Sequence, residues 1–334
     1  MMISNKTMLD NPLKVLIPIA TLLLMLALYA IFGGYFAREL VTEIAILSIL
    51  ALSLDMIAGY GGMISLCHGA ILGLGAYMYG ALSTLLHIHP LGAAALAVIS
   101  GVMYGLIVDA IVAKTSGIFF IMATLAFGQM LYIIIFDSQF LGGDDGLWGI
   151  ERIDLSALGI NSGDSLSFAL IALSCAMICA IKITILLHSS FGHSLVGIRE
   201  NESRMQAIGI SLWRLKSASF GISGGFAAFA GVLAAQHTMF ISPDLLEWTS
   251  SGEALVVVIL GGLGSVVGAV AGAIAFVFLK SSISAFTHYW HLIVGLVLIA
   301  TVLSGQQGLV GLFRYLYQWV VAKKNIHTNQ SSSS

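Results

Sequence analysis

Apolar runs of about twenty residues recur along the whole of this chain, each near the length needed to cross the hydrocarbon core of a bilayer. That recurrence, more than any motif, limits what the chain can fold into. Taking the runs and their breaks gives ten passes, near 13–36, 39–58, 64–86, 91–112, 117–136, 165–187, 217–239, 250–262, 265–285 and 290–304. Composition agrees: 58% of the 334 residues are hydrophobic and 9% are charged, against about 25% charged in a soluble domain. With a mean hydropathy of +0.99, most of the surface has to meet lipid or protein rather than water. The short alternating segments of a transmembrane barrel do not occur. The chain reads as an all-α, polytopic membrane helical bundle.

Basic residues set the orientation of such a bundle. Lys114, Arg199, Arg204, Arg214, Lys216, Arg314, Lys323 and Lys324 fall on one parity of loops. Asp137, Asp144, Asp145, Glu151, Asp154, Asp164, Asp244 and Glu247 fall on the other, with Arg38 and Arg152 as exceptions. Ten passes then put both termini in the cytoplasm. Leu13–Phe32, with Lys6 before it and Lys14 at its start, reads as a first span, not a cleaved signal, because no small-residue cleavage site follows it. Residues 1–320 make one transmembrane domain, with a cytoplasmic loop at about 188–216 and an external loop at about 137–164. The polar tail, 321–334, reads as disordered, and Gln306–Val320 as an amphipathic segment along the interface. Cys67, Cys175 and Cys179 all lie in apolar runs and read as small buried hydrophobes.

Two glycine-rich breaks interrupt apolar sequence. Gly59-Tyr60-Gly61-Gly62 separates the second and third passes, and Gly261-Gly262-Leu263-Gly264-Ser265 the eighth and ninth. Exposed backbone is tolerated at membrane depth only where protein or a water-filled path surrounds it. Matching breaks in two halves of a chain point to a translocation pathway, while the plainer alternative is a pair of tight turns. Small-residue ladders follow both breaks: Gly69, Gly73 and Gly80, then Gly264, Gly268 and Gly272. Such spacing lets helices approach closely, within the bundle or against a second subunit.

Ionisable groups inside apolar runs are expensive and are functional candidates by default. Asp55 lies just before the first break, with His68 beyond it, so that a carboxylate–imidazole pair across the break is one expectation. Glu253 lies near the external start of its pass, where water can also reach it. Gln129 and Gln236 either bridge helices or line a path, and Asp109, near Lys114, reads as interfacial. In the external loop, Gly142-Gly143-Asp144-Asp145-Gly146 is a shaped turn with an acidic face, followed by the exposed aromatic Trp148; it reads as a gate or docking lip. No metal site is indicated, and no EF-hand pattern occurs.

The most polar segment is Phe191–Ile210, where Arg199, Glu200, Glu202 and Arg204 crowd together. Ser194 suits the cap of a first short helix. Asn201 suits the cap of a second, with Glu202 in its first turn and Gly209 just past its end. Glu200 and Arg204 can pair if the helix runs through. Leu195, Ile198, Met205 and Ile208 make an apolar patch for a partner's groove; an ordinary amphipathic loop is the alternative. No catalytic motif and no GxxxxGK[ST] loop for ATP occurs, so the chain is not read as an enzyme. If ATP drives it, another chain hydrolyses the nucleotide.

This segment resembles the cytoplasmic loop of LivM-type permeases of the branched-chain amino-acid ABC importers. The match runs through Gly192, Leu195, Ile198-Arg199-Glu200-Asn201-Glu202, Ala207 and Gly209-Ile210, departing at His193 and Gly197. Leu52–Gly62, Ser65–Ala70, Phe119–Gln129, Gly142–Leu147 and Leu260–Ser265 resemble the family's other blocks, with Leu141 in place of a threonine. The resemblance implies a bacterial inner-membrane permease subunit, paired with a second homologous permease and supplied by a periplasmic substrate-binding protein. It also implies two cytoplasmic ATPase subunits, which use ATP and Mg and dock on Gly192–Gly209 (Arg204 included), while this chain binds no cofactor. The implied substrates are branched-chain or related amino acids, or, among similar permeases, urea, short amides or other carboxylates. An ion-coupled carrier using Asp55 and Glu253, or a passive solute channel, is the rival on residues alone. The translocation path is expected along Asp55, Gly59, Gly61, Gly62, His68, Gln129, Glu253, Gly261, Gly262 and Gly264.

Overall fold

A computed structural model describes residues 12–154, 162–287 and 290–303, with Gly308 and Gly311. The tail from 321 and, those two glycines apart, the Gln306–Val320 segment lie outside the described residues, as do Lys6, Arg314, Lys323 and Lys324. In chain order the helices are α1 (Pro12–Phe32), α2 (Tyr35–Asp55), α3 (His68–Thr84), α4 (Pro90–Val112), α5 (Ile118–Phe136), α6 (Ser165–Leu187), α7 (Ser190–Glu200), α8 (Glu202–Ala207), α9 (Leu212–Thr238), α10 (Trp248–Gly261), α11 (Val266–Ser284) and α12 (Trp290–Leu303). Apart from α7 and α8, each stands in one of the ten apolar runs. Among the described residues, seven stretches are long and apolar enough to cross a membrane by length and composition. Helices α3, α10 and α12, of 17, 14 and 14 residues, are shorter, so ten is an approximate count of passes.

Helix α2 is the central post. It continues through a π-helical turn, Met56–Tyr60, and from Leu40 to Tyr60 every residue is buried except Glu43 and Leu47. Around it, small residues let backbones touch. A Cβ on Gly105 would meet the Phe220 carbonyl oxygen at 2.7 Å, and one on Gly75 the Ala228 Cα at 2.6 Å, which seats α9 against α4 and α3. The two ladders work the same way: Gly69 lies on Ser251, Gly73 on Leu246, Gly268 on Gly261 and Gly272 on Val257. Their contacts are within the chain, and packing of this kind holds helices together where lipid gives no hydrophobic drive.

Connections alternate between two ends. The turn after α2, residues 113–117, α7–α8 and Gly262–Ser265 gather at one, here termed the break end. Residues 85–89, 137–154, 162–164 and 239–247 gather at the opposite end, where β1 (Leu147–Trp148) pairs antiparallel with β2 (Phe240–Ile241). The two basic exceptions to the charge pattern are structural pins. Arg38 donates to Ser165 Oγ at 3.3 Å. Arg152 donates to the carbonyls of Gln236 at 2.9 Å and Ser162 at 3.0 Å, and lies 4.4 Å over the Phe168 ring. Burial holds the Arg152 guanidinium below its ordinary pKa, opposed by the nearby Glu39 carboxylate.

Candidate functional site

The two glycine breaks meet. The Gly264 N–H donates to Asp55 Oδ1 at 2.7 Å, joining the end of α2 to the turn between α10 and α11. Gly59 is required there, because a Cβ at that position would run into Asp55 Oδ1 and the Gly264 nitrogen. Gly262 and Gly264 hold φ of +110° and +78°, a region L side chains rarely adopt, and Ser265 then caps α11 by accepting from the Gly268 N–H at 3.1 Å. An expensive buried carboxylate is thus used to satisfy a backbone donor freed by the break.

The expected Asp55–His68 pair does not form. His68 is fully buried, with Nδ1 3.2 Å from Ser65 Oγ and Nε2 2.7 Å from Ser223 Oγ. Since Ser223 Oγ already donates to the Ser53 carbonyl at 2.6 Å, it accepts from His68 Nε2–H. That places a proton on Nε2 and fastens α2, α3 and α9 together. Local sequence could not reveal this, because Ser223 lies 155 positions away.

At the same end stands the polar segment. Asn201 breaks it with an extended backbone (φ −163°, ψ 102°), and its Oδ1 accepts from the Arg204 N–H at 2.9 Å to cap α8. Gly209, at φ +86°, follows the end of that helix as expected, and Glu202 and Ala207 bound it. Three expectations need correction. Ser194 lies inside α7, whose cap position is Ser189, and donates back to the Ser190 carbonyl at 2.8 Å. Glu200 and Arg204 form no ion pair among the described residues, because the break takes them off a common helix face. Leu195 and Ile198 are buried at 0% and 2% exposure, so they hold α7 against the bundle instead of facing a partner. Gly192 is buried as well, against Leu187.

What remains outward is Glu200, Asn201, Glu202, Arg204, Ala207 and Ile208, with Trp213 and Arg214 beyond. Arg199 is exposed as well, and its side chain also reaches back to the bundle. Its Nη1 donates to the Gly59 carbonyl, a Cβ on Gly62 would meet its Cγ at 3.0 Å, and Gly61 lies beside Leu195. Lys216, buried, is held by Glu202 at 2.7 Å. A cavity of about 290 Å³ opens between these groups, lined by Gly62, Gly117, Arg199, Glu202 and Lys216. Asp109 is fully buried within the bundle and accepts from Ser217 Oγ at 2.6 Å, tying α4 to α9.

Other candidates lie elsewhere. Gln129 is half-buried on α5 with its amide nitrogen unpartnered among the described residues. Gln236 accepts from the Ile153 N–H at 3.2 Å and so holds the long loop. In that loop Gly142, Gly143 and Gly146 take positive φ around a short turn that exposes Asp144 and Asp145. Gly146 abuts the Ile241 carbonyl, and Trp148 rests on Phe240, centroids 4.1 Å apart. Glu253, at the opposite end, meets Lys280 at 3.4 Å, and Lys280 meets Glu43 at 3.7 Å. Lys280 and Glu43 escaped the sequence reading, although lone ionisable residues in apolar runs are the signal that finds them.

Residues 36–302 match the family described as the permease component of branched-chain amino acid transport systems. The chain is 27% identical over 301 residues to the high-affinity branched-chain amino acid transport system permease protein LivM of Escherichia coli K12, covering 83% of this chain and 70% of the relative. It is 26% identical to the protein of the same name from Salmonella typhimurium, with the same coverage. To a probable branched-chain amino acid transport permease protein LivM of Methanocaldococcus jannaschii it is 28% identical over 269 residues, covering 70% and 76%. No solved structure matches the chain. A multi-pass bundle whose helix breaks meet at one end is thereby placed among transport subunits, not enzymes, and the chain belongs to the permease-component family of branched-chain amino acid transport systems.

Proposed function

We propose that this chain is the membrane-spanning permease subunit of an ATP-binding-cassette importer that moves branched-chain or related amino acids into the cytoplasm. The break end faces the cytoplasm, two separate ATPase subunits dock on α7–α8, a second homologous permease completes the path, and an external binding protein delivers substrate. One observation carries this: the outward α7–α8 surface is tied by Arg199 to the Gly59 carbonyl, four residues from the Asp55 carboxylate that holds Gly264. A partner pulling on this surface acts on both helix breaks at once. To drive transport, the ATPases bind one arrangement of the breaks better than the other, since equal affinity would shift nothing.

Arg199→Glu is expected to leave insertion and abundance unchanged and to cut ATP-driven uptake by at least about tenfold, about 1.4 kcal/mol of coupling. Uptake by membrane vesicles, with ATP hydrolysis measured in parallel, reads it. Normal transport per ATP in that variant would sink the assignment. Uptake driven by an ion gradient in proteoliposomes without any ATPase would replace it with a self-sufficient carrier.

A further inference from the structure

Between Leu40 and Tyr60 the central helix is open at Glu43 and Leu47 alone. These lie four residues apart and share a face, so they form a window onto whatever surrounds the chain. Glu43 is eight residues inside α2, about 12 Å along its axis. The rim of the window is charged too. Lys280 Nζ of α11 lies 3.7 Å from Glu43 Oε1 and 3.4 Å from Glu253 Oε2 of α10, and 5.2 Å over the Trp290 ring. The Lys280, Glu43 and Glu253 side chains are 31%, 46% and 32% exposed. Ionic groups this deep, and this open, belong beside water or protein and not beside acyl chains.

Both pairs are loose. A committed ammonium–carboxylate bond is about 2.7–2.9 Å, as Lys216–Glu202 is at 2.7 Å; neither contact of Lys280 reaches that range. The ammonium therefore keeps donor capacity, and two carboxylates facing one cation leave one negative charge formally unmatched. An ammonium and a carboxylate on one small molecule complement that pattern. One turn along α2 and α10, Leu47 and Val256 are half-buried apolar side chains that give an aliphatic group a wall.

We propose that Glu43, Glu253 and Lys280 form a binding site for the head group of a zwitterionic aliphatic amino acid at the opposite, external end. The substrate carboxylate meets Lys280, its ammonium meets the two glutamates, and its side chain lies toward Leu47 and Val256. The substrate class rests on the importer reading above. The site also stands at the far ends of α2, α10 and α11, the helices whose near ends meet through Asp55 and Gly264.

The test uses the assembled transporter in native membrane vesicles, with Cys175→Ser to lower background and Leu47→Cys as a reporter that leaves the three ionic groups in place. Val256→Cys is a second reporter should the first fail to assemble. A membrane-impermeant thiosulfonate is expected to label the reporter, and L-leucine at ten times its dissociation constant to slow labelling about tenfold by mass action. Leucinamide, lacking the carboxylate, and 4-methylpentanoate, lacking the ammonium, should protect little. Protection should vanish in Lys280→Met and persist in Lys280→Arg. A reporter that stays unlabelled, because lipid or a second permease covers it, overturns the proposal; so does labelling that leucine leaves unchanged, or protection intact in Lys280→Met. Failure of the importer reading looks different: protection by leucine without ATP-driven uptake.

Discussion

The same three helices, α2, α10 and α11, meet at both of their ends in opposite ways. At the break end a single carboxylate, Asp55, is 2% exposed and closes on a backbone N–H at 2.7 Å, with no room for a methyl group on Gly59. At the far end three ionic side chains stand a third to a half exposed, 3.4 and 3.7 Å apart. Steric fit governs the first, and long-range charge the second. The lesson is that burial of a charge marks closure in this bundle, while partial exposure of charge marks where it opens. Substitutions at the two ends should therefore fail differently.

The largest effect on stability is expected at the tight end. Gly59→Ala places a methyl group against Asp55 Oδ1 and the Gly264 nitrogen, and overpacking of this kind costs about 1–3 kcal/mol. Its melting temperature in detergent should fall, with transport lost in step; an unchanged melting temperature would show that the breaks are not packed against each other. At the open end the corresponding stability element is Arg152, which donates to carbonyls of residues 162 and 236. Arg152→Ala should cost about 1–2 kcal/mol, a part-exposed arginine losing charge-assisted bonds, while leucine protection of the Leu47→Cys reporter persists. Loss of that protection would mean that the window depends on the long loop as well.

The smallest effect sharpens the contrast. Glu202→Gln leaves the buried Lys216 without its counter-ion and should cost about 1 kcal/mol, reduced from a fully buried pair because Glu202 is 45% exposed. Adding Lys216→Met should recover most of it, because an apolar pair removes the buried charge altogether. A double variant no more stable than Glu202→Gln would show that Lys216 is satisfied by another group.

Local chemistry explains what the sequence could reveal. The apolar runs, the two breaks, the Asn201 cap and Gly209 were all readable, since each depends on residues within a few positions of itself. The Asp55–Gly264 bond spans 209 positions and has no local trace. Leu195 and Ile198 misled for a different reason: an apolar stripe on a short helix looks the same whether it faces its own bundle or a stranger's. Ser194 misled because α7 starts earlier, after Ser189, and a serine looks like a cap in the sequence at either place. Lys280 and Glu43 needed only the rule that charge inside an apolar run calls for a reason.

The π-helical turn at Met56–Tyr60 has a mechanical consequence. Such a turn is an α-helix carrying one residue too many, and successive residues are about 100° apart around the axis. Were that surplus to move a full turn along α2, everything between its old and new seats would swing by about 100°. Gly59 would no longer offer its carbonyl to Arg199, and Asp55 would no longer point at Gly264. The central post thus carries its own ratchet tooth, and taking out one residue anywhere in 56–60 would file it off.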